Sequence, residues 1–166
     1  MSIKAHFLAE LKREAGSTRR MLERVPIDKL AWRPHEKSNS LEQLAKHIAN
    51  LPTSLYSVMA TEGRDVMNSG VPPLPPITSK EQLMELFETT LAKATTALEN
   101  VSDEALGENW VLRAGDRVLI SATKENAART AYFNHLVHHR GQLSVYLRLL
   151  DVPVPGMYGP TADEKL

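Results

Sequence analysis

Four stretches of this chain repeat apolar residues at three- and four-residue intervals, and each runs into proline or a turn cluster before it could merge with the next. That pattern allows helices packed side by side and little else. From Ile3 to Arg24, Phe7, Leu8, Leu11, Ala15, Met21 and Leu22 mark the first stripe, which Pro26 ends by removing a backbone donor. Ser40 and Gln43 open the second in capping-box spacing, and Leu41, Leu44, Ile48, Leu51 and Leu55 carry it toward Met59, with a kink expected at Pro52. The same spacing recurs at Ser79 and Gln82, ahead of Leu83, Leu86, Phe87, Leu91, Ala94 and Leu98, so a third helix ends near Asn100. A fourth runs from about Lys124 to Leu150, where "DVPVPGMYGP" stops it.

The connections are equally constrained. "GVPPLPPITS" has proline at four of ten positions and reads as a stiff extended crossover. "NWVLRAGDRVLIS" holds two short apolar runs around Ala114-Gly115-Asp116 and reads as a small β-hairpin that must lean on the helices. The expected fold class is therefore all-α, a four-helix bundle in one domain spanning 1–166, with a small hairpin before the last helix.

Charge and composition remove several functions. Lys plus Arg equals Asp plus Glu at 20 each, with no basic stripe, so nucleic acid is not an expected partner. There is no cysteine, hence no disulfide, zinc-thiolate site or cysteine nucleophile, and any sulfur chemistry needs an external thiol. No apolar run reaches the length of a signal peptide core or membrane span, so a cytoplasmic location is expected and no membrane partner.

The chemistry-bearing feature is "NHLVHHRGQLSVYL", which places three of the six histidines in five positions of the last helix. At about 100° per residue, His135 and His139 stack about 40° apart on one face, while His138 points furthest outward. The buried arc is marked by Phe133, Leu136, Leu143, Leu147 and Leu150, and His139 falls beside it. His47, three residues after Leu44 and four before Leu51, leans inward from the second helix. An i, i+4 imidazole pair chelates one ion from a single helix, and a third imidazole completes a tripod wherever the two helices touch. Helical HxxxH also arises by chance, and a lone histidine on an apolar face is commonly a hydrogen-bonded core residue; His6 and His35 fit that class or the surface. Rival metal sites are absent: Leu44, Tyr132 and Leu136 stand where a carboxylate di-metal site needs glutamate, and Leu136 replaces the glutamate of a zinc-protease HExxH.

Polar neighbours leave two readings open. Arg140 and Gln142 could steady ligands or meet a second subunit, but a solvated or packed helix edge is the commoner place for such residues. Trp32, Arg33, Pro34 and His35 could border the pocket, or Trp32 could pack the bundle end.

Two segments carry a family resemblance. "HLVHHRGQLSVYLRLLDVPVPGMYGP" resembles the fourth-helix and tail signature of the DinB-like (DinB/YfiT) superfamily, and "WRPHEKSNSLEQLAKHIANL" is similar to its first-loop and second-helix signature. The resemblance implies an up-down-down-up four-helix bundle, commonly a homodimer, with a divalent metal on three histidines; the matching positions are His47, His135 and His139. His138 resembles the extra histidine common before the HRGQ segment and is not a family ligand. Relatives of this kind include thiol-dependent S-transferases and isomerases that use low-molecular-weight thiols, and others with no assigned reaction. The implied function is a metal-dependent enzyme acting on small molecules, with a low-molecular-weight thiol as cosubstrate and catalytic residues unassigned. The rivals are a metal-dependent hydrolase and a noncatalytic metal-binding stress-response bundle. Zinc, nickel, iron and copper all suit imidazole ligands.

Overall fold

In the computed structural model, which describes residues 2–68 and 73–165, each apolar stripe becomes helix for a local reason. Helix α1 (Ile3–Glu23) starts where the Ser2 side chain accepts from the Ala5 N–H. Helix α2 (Leu41–Asn50) has the full capping box, Ser40 accepting from the Gln43 N–H while the Gln43 side chain accepts from the Ser40 N–H. Pro52 does more than kink the second stripe: lacking an N–H, it breaks the ladder and opens α3 (Pro52–Ala60). Leu51 stays in the right-handed helical region, so the chain continues at once into the second piece. Helix α4 (Lys80–Asn100) is capped by Ser79, but Gln82 returns to the Thr78 N–H and hydroxyl, so only half of the anticipated box forms. A short α5 (Asp103–Leu106) follows. Of the proline crossover, residues 69–72 lie outside the described residues, and 73–78 carry no helix or strand.

The anticipated hairpin is β2 (Asn109–Ala114) with β3 (Arg117–Thr123), turned at Gly115, whose φ of 59° suits glycine. A third strand not expected from the sequence, β1 (Gly63–Asp65), pairs in parallel with β2, Gly63 facing Val111 and Asp65 facing Arg113. Gly63 is required there, since a Cβ would sit 2.6 Å from the Val111 carbonyl oxygen. Trp110 anchors the sheet: it is fully buried and its indole N–H meets the Thr61 hydroxyl at 3.3 Å.

The last helical stretch is also interrupted. It comprises α6 (Lys124–Ala128), a π-helical turn (Arg129–Phe133) closed by the Asn134 N–H on the Arg129 carbonyl, and α7 (Asn134–Leu149). Its end is a Schellman motif, with Val152 N–H on the Leu147 carbonyl, Asp151 N–H on the Arg148 carbonyl, and Asp151 in the left-handed region at φ 56°.

The expected all-α four-helix bundle with a small hairpin is met as a mostly helical fold, with seven α-helices and a three-stranded sheet among the described residues. One contiguous core joins Phe7 and Leu11 of α1, Leu44 and Ile48 of α2, Leu83 and Phe87 of α4, and Leu136 and Leu143 of α7. Helix α2 packs against both α4 and α7, which sets the position of the site. No helix among the described residues is long and apolar enough to cross a membrane.

Candidate metal centre

The α2–α7 contact brings His47, His135 and His139 together, all half-buried, with one ring nitrogen from each within 4.8 Å of the others. The Nε2 of His135 lies 3.3 Å from that of His47 and 2.8 Å from that of His139. Imidazole nitrogens bound to one ion at about 2.0–2.1 Å stand about 3.3 Å apart at a tetrahedral angle and about 2.9 Å apart at a right angle. The three-histidine arrangement is thus close enough to hold a single metal ion.

The outer nitrogens decide which lone pairs face inward. His139 Nδ1 donates to the Gln142 side-chain oxygen at 2.7 Å, and the Gln142 amide nitrogen donates to His138 Nε2 at 3.1 Å. The His135 ring donates to the Ala131 carbonyl, inside the π-helical turn. With its Nδ1 donating to Gln142, His139 directs the lone pair of Nε2 at the His135 ring. A cation between these nitrogens, 2.8 Å apart, is compatible with that orientation, so the donor set fits a metal.

Electrostatics point the same way. Burial, then the neighbouring His139 and His135 rings, pushes His47 down to about 4. Burial and His139 also lower His135, against the Ala131 carbonyl, which acts to raise it. These rings are held neutral, the form in which imidazole binds metal.

The remaining polar residues divide between the open readings. Gln142 contacts a histidine of the cluster, and His138, the outward ring, orients the Gln142 amide. Arg140 is 2% exposed and turned away from the cluster, toward α1: it donates to the Glu14 carboxylate at 2.6 Å, the Thr18 hydroxyl at 3.1 Å and Tyr158. Its position between Leu136 and Leu143, one turn from each, was the sequence signal for that burial. Trp32 packs the bundle end, edge-on to Tyr146 at 5.5 Å, while Arg33, Pro34 and His35 are exposed, as is His6 on α1.

The DinB family model matches residues 1–165. The chain belongs to the DinB family. Among relatives, it is 28% identical over 153 residues to the uncharacterized protein YjoA of Bacillus subtilis, covering 88% of this chain and 87% of that one. The solved structure of YjoA superposes with a TM-score of 0.71 at 20% identity, covering 97% of this chain and 99% of that one. A DinB-like protein from Bacillus cereus gives 0.71 at 22% identity, over 92% and 95%. A mycothiol-dependent maleylpyruvate isomerase gives 0.58 at 15% identity, over 86% of this chain and 63% of its own. The DinB fold is thereby matched over nearly the whole chain.

Proposed function

We propose that His47, His135 and His139 bind one divalent metal ion through their Nε2 atoms, and that the protein is a metal-dependent enzyme acting on small molecules. The observation that carries this reading is the convergence of three imidazole nitrogens from two helices, with the His139 ring oriented from outside by Gln142. A divalent cation held there supplies Lewis acidity, favouring the deprotonated form of a thiol or hydroxyl group brought to it. Three protein ligands leave coordination positions for such a group. The chain's own residues orient and insulate: Gln142 orients the His139 ring, and burial keeps His47 and His135 neutral.

The preferred reaction is a thiol-dependent transfer with an external low-molecular-weight thiol. Its support is the absence of cysteine in the chain and a shared fold with an isomerase described as mycothiol-dependent. A homodimer through α7 belongs to the same reading. Val137, Val145 and Leu149 are 41%, 56% and 57% exposed along one stripe of that helix, with Gly141 between them.

The test is elemental analysis of protein purified without added metal, beside His47→Ala and His139→Ala. The expected result is about one equivalent of metal in the wild type and a loss of at least about tenfold in affinity in each variant. Equal metal content in all three would end the reading. Product analysis with the thiol supplied or withheld separates transfer from hydrolysis, since turnover indifferent to thiol belongs to a hydrolase.

A further inference from the structure

The groove that opens beside His47 carries charge that the metal centre does not use. It has a volume of about 1040 Å³ and runs between α2, β1 and α4, with Lys46, Arg64 and Lys93 among its walls and Asp65 as its carboxylate. Two of these four charges are already engaged. Lys46 Nζ sits 3.1 Å from Glu42 and 3.3 Å from the Pro75 carbonyl. Asp65 accepts from the Met67 and Gly115 N–H groups and from Asn68, and those donors hold its carboxyl below the usual range.

Arg64 and Lys93 have no acidic partner within 4 Å among the described residues. In a chain with equal numbers of acids and bases, two uncompensated cations lining one cleft attract an anion. The backbone of Arg64 is also fixed in place. It pairs with Leu112 of β2, and the neighbouring Gly63 touches the Val111 backbone so closely that no side chain fits between them. A guanidinium fork on a pinned strand suits a planar carboxylate, which it can meet with two parallel hydrogen bonds.

We propose that this groove binds a small carboxylate-bearing molecule, with its anionic end held by Arg64 and Lys93 and its reacting end directed to His47. The reacting end rests on the metal-centre reading above; the anionic end stands on the groove alone. The third strand, which a helical bundle does not need for its core, then has a role in presenting Arg64.

The test uses the full chain, metal-free and loaded with cobalt, and three probes: succinate, mercaptosuccinate and 2-mercaptoethanol. In calorimetric titrations at low salt, succinate is expected to bind the metal-free protein, and the R64Q/K93Q double variant to weaken it about tenfold or more. Both side chains reach solvent at the groove, so the variant should keep its circular dichroism spectrum. On the cobalt form, mercaptosuccinate should bind about tenfold more tightly than 2-mercaptoethanol, and the variant should erase that advantage. Succinate binding unchanged by the variant, or no preference for mercaptosuccinate in the wild type, overturns the proposal. Absence of cobalt–thiolate absorption with both thiols, while succinate still depends on Arg64 and Lys93, removes the metal-centre reading and leaves the anionic end standing.

Discussion

At the residue scale the centre depends on side chains that never touch the proposed ion. Gln142 accepts from His139 Nδ1 and donates to His138, so it selects both the tautomer and the angle of the ring. Gln142→Ala is therefore expected to lower metal affinity about 10- to 100-fold while leaving thermal stability nearly unchanged, because Gln142 is exposed. Competition titration with a chromophoric chelator measures the first, a melting curve the second, and an affinity equal to wild type would refute the orienting role. The i, i+4 arithmetic made His135 and His139 legible, because a helix fixes which positions share a face. Gln142 was legible only as a neighbour, since hydrogen bonding to a ring nitrogen depends on rotamers that spacing does not determine. Arg140 followed a different rule. An arginine on the buried arc must bring a partner with it, and the partner is Glu14, 126 positions away in the chain and invisible to local pattern.

At the scale of elements, what the sequence made plain was the start and stop of each helix, because caps and prolines act locally. Ser40 and Ser79 cap where their spacing says they should, and Pro52 divides the second stripe. Two features had no local signal. The π-helical turn at Arg129–Phe133 contains neither proline nor glycine, and β1 is three residues long and pairs with a strand 48 positions later. The α7 stripe is a third kind of case, apolar residues at helical spacing that stay exposed among the described residues. Val137, Val145 and Leu149 lie on the side of α7 away from Leu136, Leu143 and Leu147, so burying them needs a second molecule. If the proposed α7 dimer forms, replacing Val145 and Leu149 together by glutamate should convert it to monomer in sedimentation velocity without changing the helical content. A wild type that sediments as a monomer at high micromolar concentration would contradict the dimer.

For the whole molecule, the centre links two helices that the core already packs, so protons and metal acting on three rings should register in global stability. His47 ionises near 4 when folded and metal-free, against an ordinary value of 6.5. Between those limits the unfolded chain binds a proton that the folded protein refuses, so stability rises with pH across this window and is lost as pH falls from 6.5 toward 4. Below that window both states are protonated and His47 contributes no further slope. His135, lowered in the same direction, adds to the effect. A divalent cation reverses the balance near neutrality: at a hundredfold excess over its dissociation constant it stabilises the folded state by about 2.7 kcal/mol, roughly 5–10 °C in melting temperature for a chain of this size. That gain must shrink as the solution is acidified, since proton and cation compete for the same nitrogens. Melting curves from pH 7.5 to 4.5, with and without added zinc, should therefore diverge at the neutral end and converge at the acid end, and His139→Ala should remove most of the divergence. A zinc-induced shift that is the same at both ends, or that survives in His139→Ala, would place the ion somewhere other than between α2 and α7.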